Sequence, residues 1–297
     1  MSLRPLPSGA DLERLLETIE MTQYEDFFQA LPGDAGERLG SELHREGSTL
    51  RLTAAGYDHP MFNRVMGVGL DPGSAAEGPE TVLDRAAAHY EAAGVRRWML
   101  QLLPHVEPEG FEEAAGRRGI VRLRGWAKHL GRTDQEISRR SELRIVRLDP
   151  EDAARKGSKA RLADAWAEIL MRNFDFPPPF RGWLRALHGR ERWRLYLALD
   201  GDTPVATGAL FLSESDAGLI GQLTFGSTLP DHRGQGAQSS MIARRIEDAR
   251  DAGARWIVSE TDEELPERPN PSTRNLVRLG LPVIYVRANW GPPKPEG

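Results

Sequence analysis

The chain has no cysteine in its 297 residues. That excludes disulfides, thiolate metal sites and a cysteine nucleophile, and it suits a cytoplasmic compartment. There is no apolar run near the ~18 residues that a membrane helix needs, so no membrane partner is expected. The seven histidines show no close pairing at metal-ligand spacing. Metal-dependent hydrolysis is therefore disfavoured and no metal is expected. A basic excess is also missing. The net charge of −5 argues against nucleic-acid binding, which rests on Lys and Arg neutralising phosphates. What is present, 39% hydrophobic and 28% charged residues, is the composition of a soluble globular protein. The length suffices for one large domain or two ordinary ones, and either a monomer or a homodimer is compatible with it.

The organising stretch is His232 to Gln238, HRGQGAQ. An apolar, β-rich segment, Leu219 to Pro230, precedes it. Behind it, Ile242, Ile246, Ala249 and Gly253 recur with the spacing of one helical face. The order is strand, glycine turn, helix. The first N–H groups of a helix lack internal partners and carry the positive end of its dipole. Gly234 and Gly236 let the backbone bend so that several N–H groups converge, and Arg233 adds a cation, so the turn suits a phosphate. A plain strand-to-helix turn accounts for the glycines equally well. The loop is not a Walker A loop, since no Gly-Lys-Ser/Thr follows. It is not a Rossmann fingerprint either, since Asp231-His232-Arg233 intervenes after the strand and Ser239 holds the third glycine position.

The loop resembles motif A of the GNAT acyltransferase superfamily, Arg/Gln-x-x-Gly-x-Gly/Ala after a strand. Arg233 and Gly236 match; Gln238 departs at the last position. Asn270 to Trp290, NPSTRNLVRLGLPVIYVRANW, resembles motif B of the same superfamily, and the strand expected between the motifs reads RWIVSE, Arg255 to Glu260. The resemblance covers Glu142 to Trp290. It implies an acyl-coenzyme A site, with acetyl-CoA as co-substrate and the amine of a small molecule or peptide as acceptor. The pyrophosphate is expected on Arg233, Gly234, Gln235, Gly236, Ala237 and Gln238. The pantetheine arm is expected along Thr224 to Leu229, with Thr228 and Leu229 at its end, and Asn270, Ser272 and Asn275 as further hydrogen-bonding candidates. Asn270 is equally adequate as a helix cap, with Pro271 at the first helical position.

Taken in order, Asp11 to Ala30 reads as a helix. Strands are expected at Ser48 to Ala54 and Phe62 to Leu70, a helix at Pro79 to Ala93, a buried strand at Trp98 to Leu103, a helix at Gly110 to Arg118 and a strand at Val121 to His129. This order recurs. Pro72, Gly94 and Gly119 are separated by 22 and 25 residues, and Pro230, Gly253 and Gly280 by 23 and 27. The fold expected is α/β (α+β): two tandem GNAT-like domains, each a mixed twisted sheet flanked by helices. Residues 1–135 form a degenerate half and 141–297 the acyl-CoA-binding half, joined through the polar Gly131 to Ser141. In the first half the loop position reads LDPGSAAEGPE, without arginine or Gly-x-Gly and with Glu77 and Glu80. Carboxylates there repel pyrophosphate, so no coenzyme A is expected in that half.

For the chemistry, Glu260 at the C-terminal end of its strand is the candidate general base. Asp262, Glu263 and Glu264 would add attraction for a cationic amine. The family's usual tyrosine acid, counted from Ser272, falls on Leu276, which cannot donate a proton. Tyr285 is the substitute candidate, though a packed aromatic is the simpler reading. Phe174, Phe176 and Phe180 in FDFPPPF are expected to line the acceptor site, or else to pack on the core. The alternative to an N-acyltransferase is a non-catalytic CoA-binding or ligand-sensing protein of the same fold.

Overall fold

The structure is a computed structural model that describes residues 6–71, 77–135, 137, 141–149 and 158–294. Much of the expected connection at 131–141 and of the loop at 70–80 lies outside these residues. The first half runs α1 (Ala10–Gln29), α2 (Gly33–Leu39), β1 (Ser41–Glu46), β2 (Thr49–Ala54), β3 (Arg64–Met66), α3 (Pro79–Ala92), β4 (Met99–Leu102), α4 (Phe111–Arg117), β5 (Val121–Arg132). The second runs β6 (Arg144–Arg147), α5 (Ser158–Phe174), α6 (Phe180–Ala186), β7 (Trp193–Asp200), β8 (Thr203–Ser213), β9 (Ile220–Thr228), α7 (Ala237–Asp251), β10 (Trp256–Asp262), α8 (Pro271–Arg278), β11 (Val283–Gly291). No helix among the described residues is long and apolar enough to cross a membrane. The strand expected over Phe62 to Leu70 shrinks to β3, because Gly67 and Gly69 turn to φ of 74° and 76°. Strand β1 escapes a hydropathy reading because it is polar and mostly exposed.

The internal repeat has a local physical basis. After α3, α4, α7 and α8 the chain passes through Gly94, Gly119, Gly253 and Gly280, all with φ between 67° and 95°. In each case the next N–H reaches back five residues: Val95 to Tyr90, Ile120 to Ala115, Ala254 to Ala249 and Leu281 to Leu276. Glycine adopts this left-handed conformation without a Cβ clash, so each helix stops cleanly and turns into a strand.

The eleven strands form one sheet in the order β1-β2-β3-β4-β11-β5-β10-β9-β8-β7-β6. Thus β5, the last strand of the first half, lies between β10 and β11, and β11 lies between β4 and β5. The sheet therefore crosses the expected division between 1–135 and 141–297. Its two halves have exchanged their last strands.

The core crosses it too. One buried cluster joins Phe27, Phe28, Leu50 and Phe62 with Trp166, Phe180, Trp183 and Leu195. Phe27 and Trp183 stack with ring centroids 4.2 Å apart, and the Trp183 indole N–H donates to the Phe27 carbonyl. Replacing Trp183 by Ala should cost about 3–5 kcal/mol, the range for a large buried aromatic. Urea unfolding followed by both fluorescence and circular dichroism should give one transition for the wild type. Two separated transitions would show that the halves fold independently.

Candidate functional site

The site begins where two parallel strands part. β9 and β10 pair from Ile220↔Trp256 to Leu223↔Ser259 and no further. β9 bends away because it carries a bulge against β8: Thr224 faces Ala209 and Ser227 faces Thr207, leaving Phe225 and Gly226 opposite the single Gly208. Phe225 sits at φ 51°, a strained conformation for an aromatic residue, costing about 1–3 kcal/mol. The buried Arg245 of α7 compensates by donating to the Ala209 and Thr224 carbonyls at 3.0 and 3.1 Å. Burial lowers its pKa to about 10, so it stays charged at neutral pH. Gly208 leaves it room: a Cβ there would lie 2.5 Å from Met241 Sδ and 2.9 Å from the Arg245 guanidinium carbon, so both side chains would have to shift.

The diverging strands open a cleft of about 1190 Å³. At one end stands the N-terminus of α7. Gly234 and Gly236 both have φ 78°, and no side chain caps the helix. A Cβ on Gly234 would meet nothing within 4 Å, so the loop faces open space. Arg233 lies at the rim, its Nε donating to the Thr228 carbonyl at 3.2 Å. Gln238, the departure from the motif, folds away from the loop: its amide donates to the Ser227 carbonyl (2.9 Å) and the Thr228 hydroxyl (3.0 Å). Across the cleft Arg278 of α8 donates to the Ser239 hydroxyl at 3.1 Å and to Asn275 Oδ1 at 2.6 Å. Sequence reasoning missed Arg278, although its spacing from Asn275 puts the two on one helix face.

The cleft brings together Thr228, Arg233, Gly234, Gln235, Gly236, Ala237, Gln238, Ser272, Asn275, Phe174, Phe176 and Glu260. Four expected residues lie elsewhere. Leu229 packs on the core, since its N–H is tied to Val205 of β8 at 2.9 Å. Asn270 caps α8, accepting from the Ser272 N–H and donating to the Asp262 carbonyl. Phe180 is fully buried between Phe176, Phe62 and Trp183. Tyr285 is buried with its hydroxyl donating to Glu17 at 3.2 Å, and burial holds its pKa well above the phenol range. It cannot present a proton to the cleft.

Glu260 closes the floor of the cleft as part of a buried ion lattice. Its Oε1 lies 2.8 Å from both Lys128 Nζ and Arg287 Nη2. The same two cations hold Glu20 of α1 at 2.6 Å each, Arg287 also binds Glu17, and Arg64 reaches Glu20 at 3.4 Å. Arg64 spreads over the Tyr24 ring at 3.5 Å and the Trp126 ring at 4.8 Å. Tyr24, Trp126, Gln23 and Met61 all come from the first half, and all line the cleft. They were not anticipated, because Gln23 and Tyr24 reach the cleft on α1, Trp126 on the exchanged β5, and Met61 from the connection between β2 and β3. The acidic run after Glu260 is already engaged: Asp262 with Arg124 at 3.0 Å, Glu263 with the Gly125 N–H at 3.0 Å, Glu264 with Arg274 at 2.8 Å.

The two central carboxylates split in their titration. Burial pushes Glu260 up to about 7, assisted by the neighbouring Glu20 charge, whereas Arg287 and Lys128 outweigh burial at Glu20 and hold it well below the carboxylate range. For Glu260 the folded pKa lies above the unfolded one. Its contribution to stability is full at acid pH and is lost as pH rises through about 7. Glu260→Gln removes that loss. The urea midpoint of the variant should therefore gain on the wild type between about pH 5 and about pH 8. A difference that does not change with pH would contradict this assignment.

Known structures share this architecture. A tandem GNAT protein from the clavulanic acid biosynthesis pathway superposes with a TM-score of 0.57 at 14% identity, covering 99% of this chain and all of that one. A GCN5-related N-acetyltransferase from Kribbella flavida gives 0.56 at 15% identity over 95% and 96% of the two chains. A conserved protein of unknown function from Staphylococcus epidermidis gives 0.57 at 9% identity over 90% and 100%. No family model and no curated protein sequence matches the chain. The fold of this chain is the tandem GNAT fold.

Proposed function

We propose that the protein is an acyl-CoA-dependent N-acyltransferase that transfers acetyl from acetyl-CoA to a primary amine of a small molecule or peptide, using one site in residues 141–297. The observation that carries this reading is the uncapped α7 N-terminus and the base candidate Glu260 opening into one cleft at the parting of β9 and β10. The cradle suits a pyrophosphate: two left-handed glycines, free helix N–H groups, and Arg233 and Arg278 at its sides. Gln238, bonded to β9, leaves it clear. Acetyl-CoA supplies the thioester. The amine nitrogen bonds to its carbonyl carbon, the C–S bond breaks, the N–H proton goes to the Glu260 carboxylate, and the thiolate takes a proton from water. No tyrosine replaces Leu276 on α8, and a thiolate is a tolerable leaving group without an acid.

Residues 1–135 serve as the acceptor-shaping half and carry no cofactor. The segment that leads into its corresponding loop is closely packed: a Cβ on Gly67 would meet the Ser48 carbonyl and Met21, and one on Gly69 would meet Val106. Glu77 and Glu80 are held by Arg85, Arg117 and Arg118.

Calorimetric titration of acetyl-CoA should show one site per chain, abolished in Arg233→Glu with Gly236→Asp. Absence of binding to the wild type would favour a ligand-sensing protein of this fold. Glu260→Gln should lower kcat by about 10²–10⁴ with little change in acetyl-CoA affinity, the usual span for a general base. With the wild type, kcat should rise with pH through about 7 as Glu260 ionises. A pH-independent kcat would remove Glu260 from that role.

A further inference from the structure

The acceptor end of the cleft has two properties that together select a substrate. Its walls are flat and apolar. Phe174 is 41% exposed and stacks on Phe176 with centroids 5.4 Å apart and planes at 15°. It is fixed beside the parting strands because its neighbour Asn173 donates to the Ser227 hydroxyl at 2.6 Å. Tyr24 and Trp126 complete the lining from the first half.

The second property is electrostatic. Among the described residues, the carboxylates lining the cleft are Glu260 and Asp262. Asp262 is paired with Arg124, and Glu260 is shared between Lys128 and Arg287. Glu17, Glu20 and Glu260 are balanced by Arg64, Lys128 and Arg287, so the floor offers no surplus negative charge. The aromatic rings are compromised as cation receptors as well. Arg64 lies over both Tyr24 and Trp126, and Arg287 lies 5.5 Å from Trp126. A guanidinium on one face of a ring draws its electron density and repels a second cation at the other face. An ammonium entering here would lose its hydration close to three buried cations whose carboxylate partners are already engaged. A neutral aromatic ring would stack on the same walls without that cost.

We propose that the acceptor is an arylamine: a weakly basic amine on a flat aromatic body, bound uncharged, with alkylammonium compounds rejected. This rests on the transferase reading above and names the substrate class of that site. An arylamine arrives with its lone pair free. Glu260 is then needed only for the proton released after the C–N bond forms.

The test uses the intact chain with saturating acetyl-CoA and compares 4-methylaniline with 4-methylcyclohexylamine at neutral pH, following thiol release. An ammonium with a pKa near 10.4 is uncharged in only about one molecule in several thousand at pH 7, so kcat/KM on total amine should favour 4-methylaniline by at least about tenfold. Phe174→Ala should raise KM for 4-methylaniline by about tenfold and leave acetyl-CoA affinity unchanged, the effect of losing one stacking wall. Equal or better turnover of 4-methylcyclohexylamine overturns the arylamine assignment and leaves the transferase reading standing. So does an acetyl-CoA complex that neither acetylates 4-methylaniline nor binds it in a calorimetric titration at millimolar concentration. Failure of acetyl-CoA itself to bind overturns the transferase reading, and the arylamine assignment with it.

Discussion

The sharing of Lys128 and Arg287 among Glu17, Glu20 and Glu260 is the constraint on which the rest of the structure depends. These side chains come from α1, β5, β10 and β11, and all are buried except Glu260, which keeps an edge in the cleft. Desolvating each ion costs several kcal/mol, and the lattice repays it only when every partner is in place. That requirement ties α1 to the sheet, fixes the rotamer of Glu260 and sets the register of the exchanged strands at one point. Tyr285, Lys128 and Glu260 lie opposite one another across β11, β5 and β10. The row carries phenol, ammonium and carboxylate where a hydrophobic sheet would carry aliphatic chains. Neutrality without a spare charge is therefore a structural condition before it is a property of the site.

The cleft has its own local cause. The bulge at Phe225 and Gly226 turns β9 away from β10, and Arg245 fills the gap left in the ladder by bonding to the freed carbonyls. Gly208 leaves room for that arginine and for Met241. Strain in one residue, a buried cation with no carboxylate partner among the described residues, and one glycine thus combine to separate two strands that would otherwise pair throughout.

How much of this the sequence disclosed depended on the range of the interactions. The strand–turn–helix at Leu219 to Gly253 was legible because its signals are local: hydrophobic spacing, two glycines, an arginine. The internal repeat was legible for the same reason, since helix-ending glycines recur at fixed intervals. Glu260 was placed at the cleft from its position at a strand end. Arg64, Lys128 and Arg287 were invisible, because each looks like an ordinary charge in an alternating strand until α1 is laid over it. Tyr285 failed as a cleft residue because a tyrosine on a strand carries no mark of which face is covered. Phe180 took the alternative of packing on the core, because three closely spaced phenylalanines do not say which of them turn inward. Tyr24 and Trp126 needed the strand exchange, which no pattern in one chain reveals.

That exchange has a mechanical consequence. Two domains joined by a linker can rock about it, opening and shutting the groove between them. Here β5 and β11 are each clamped on both sides, so relative rotation would shear several ladders of backbone hydrogen bonds at once. The molecule has in effect no hinge, and the width of its groove is set when it folds. Any change in the shape of the groove is then left to single side chains along it, of which Phe174 is the exposed aromatic.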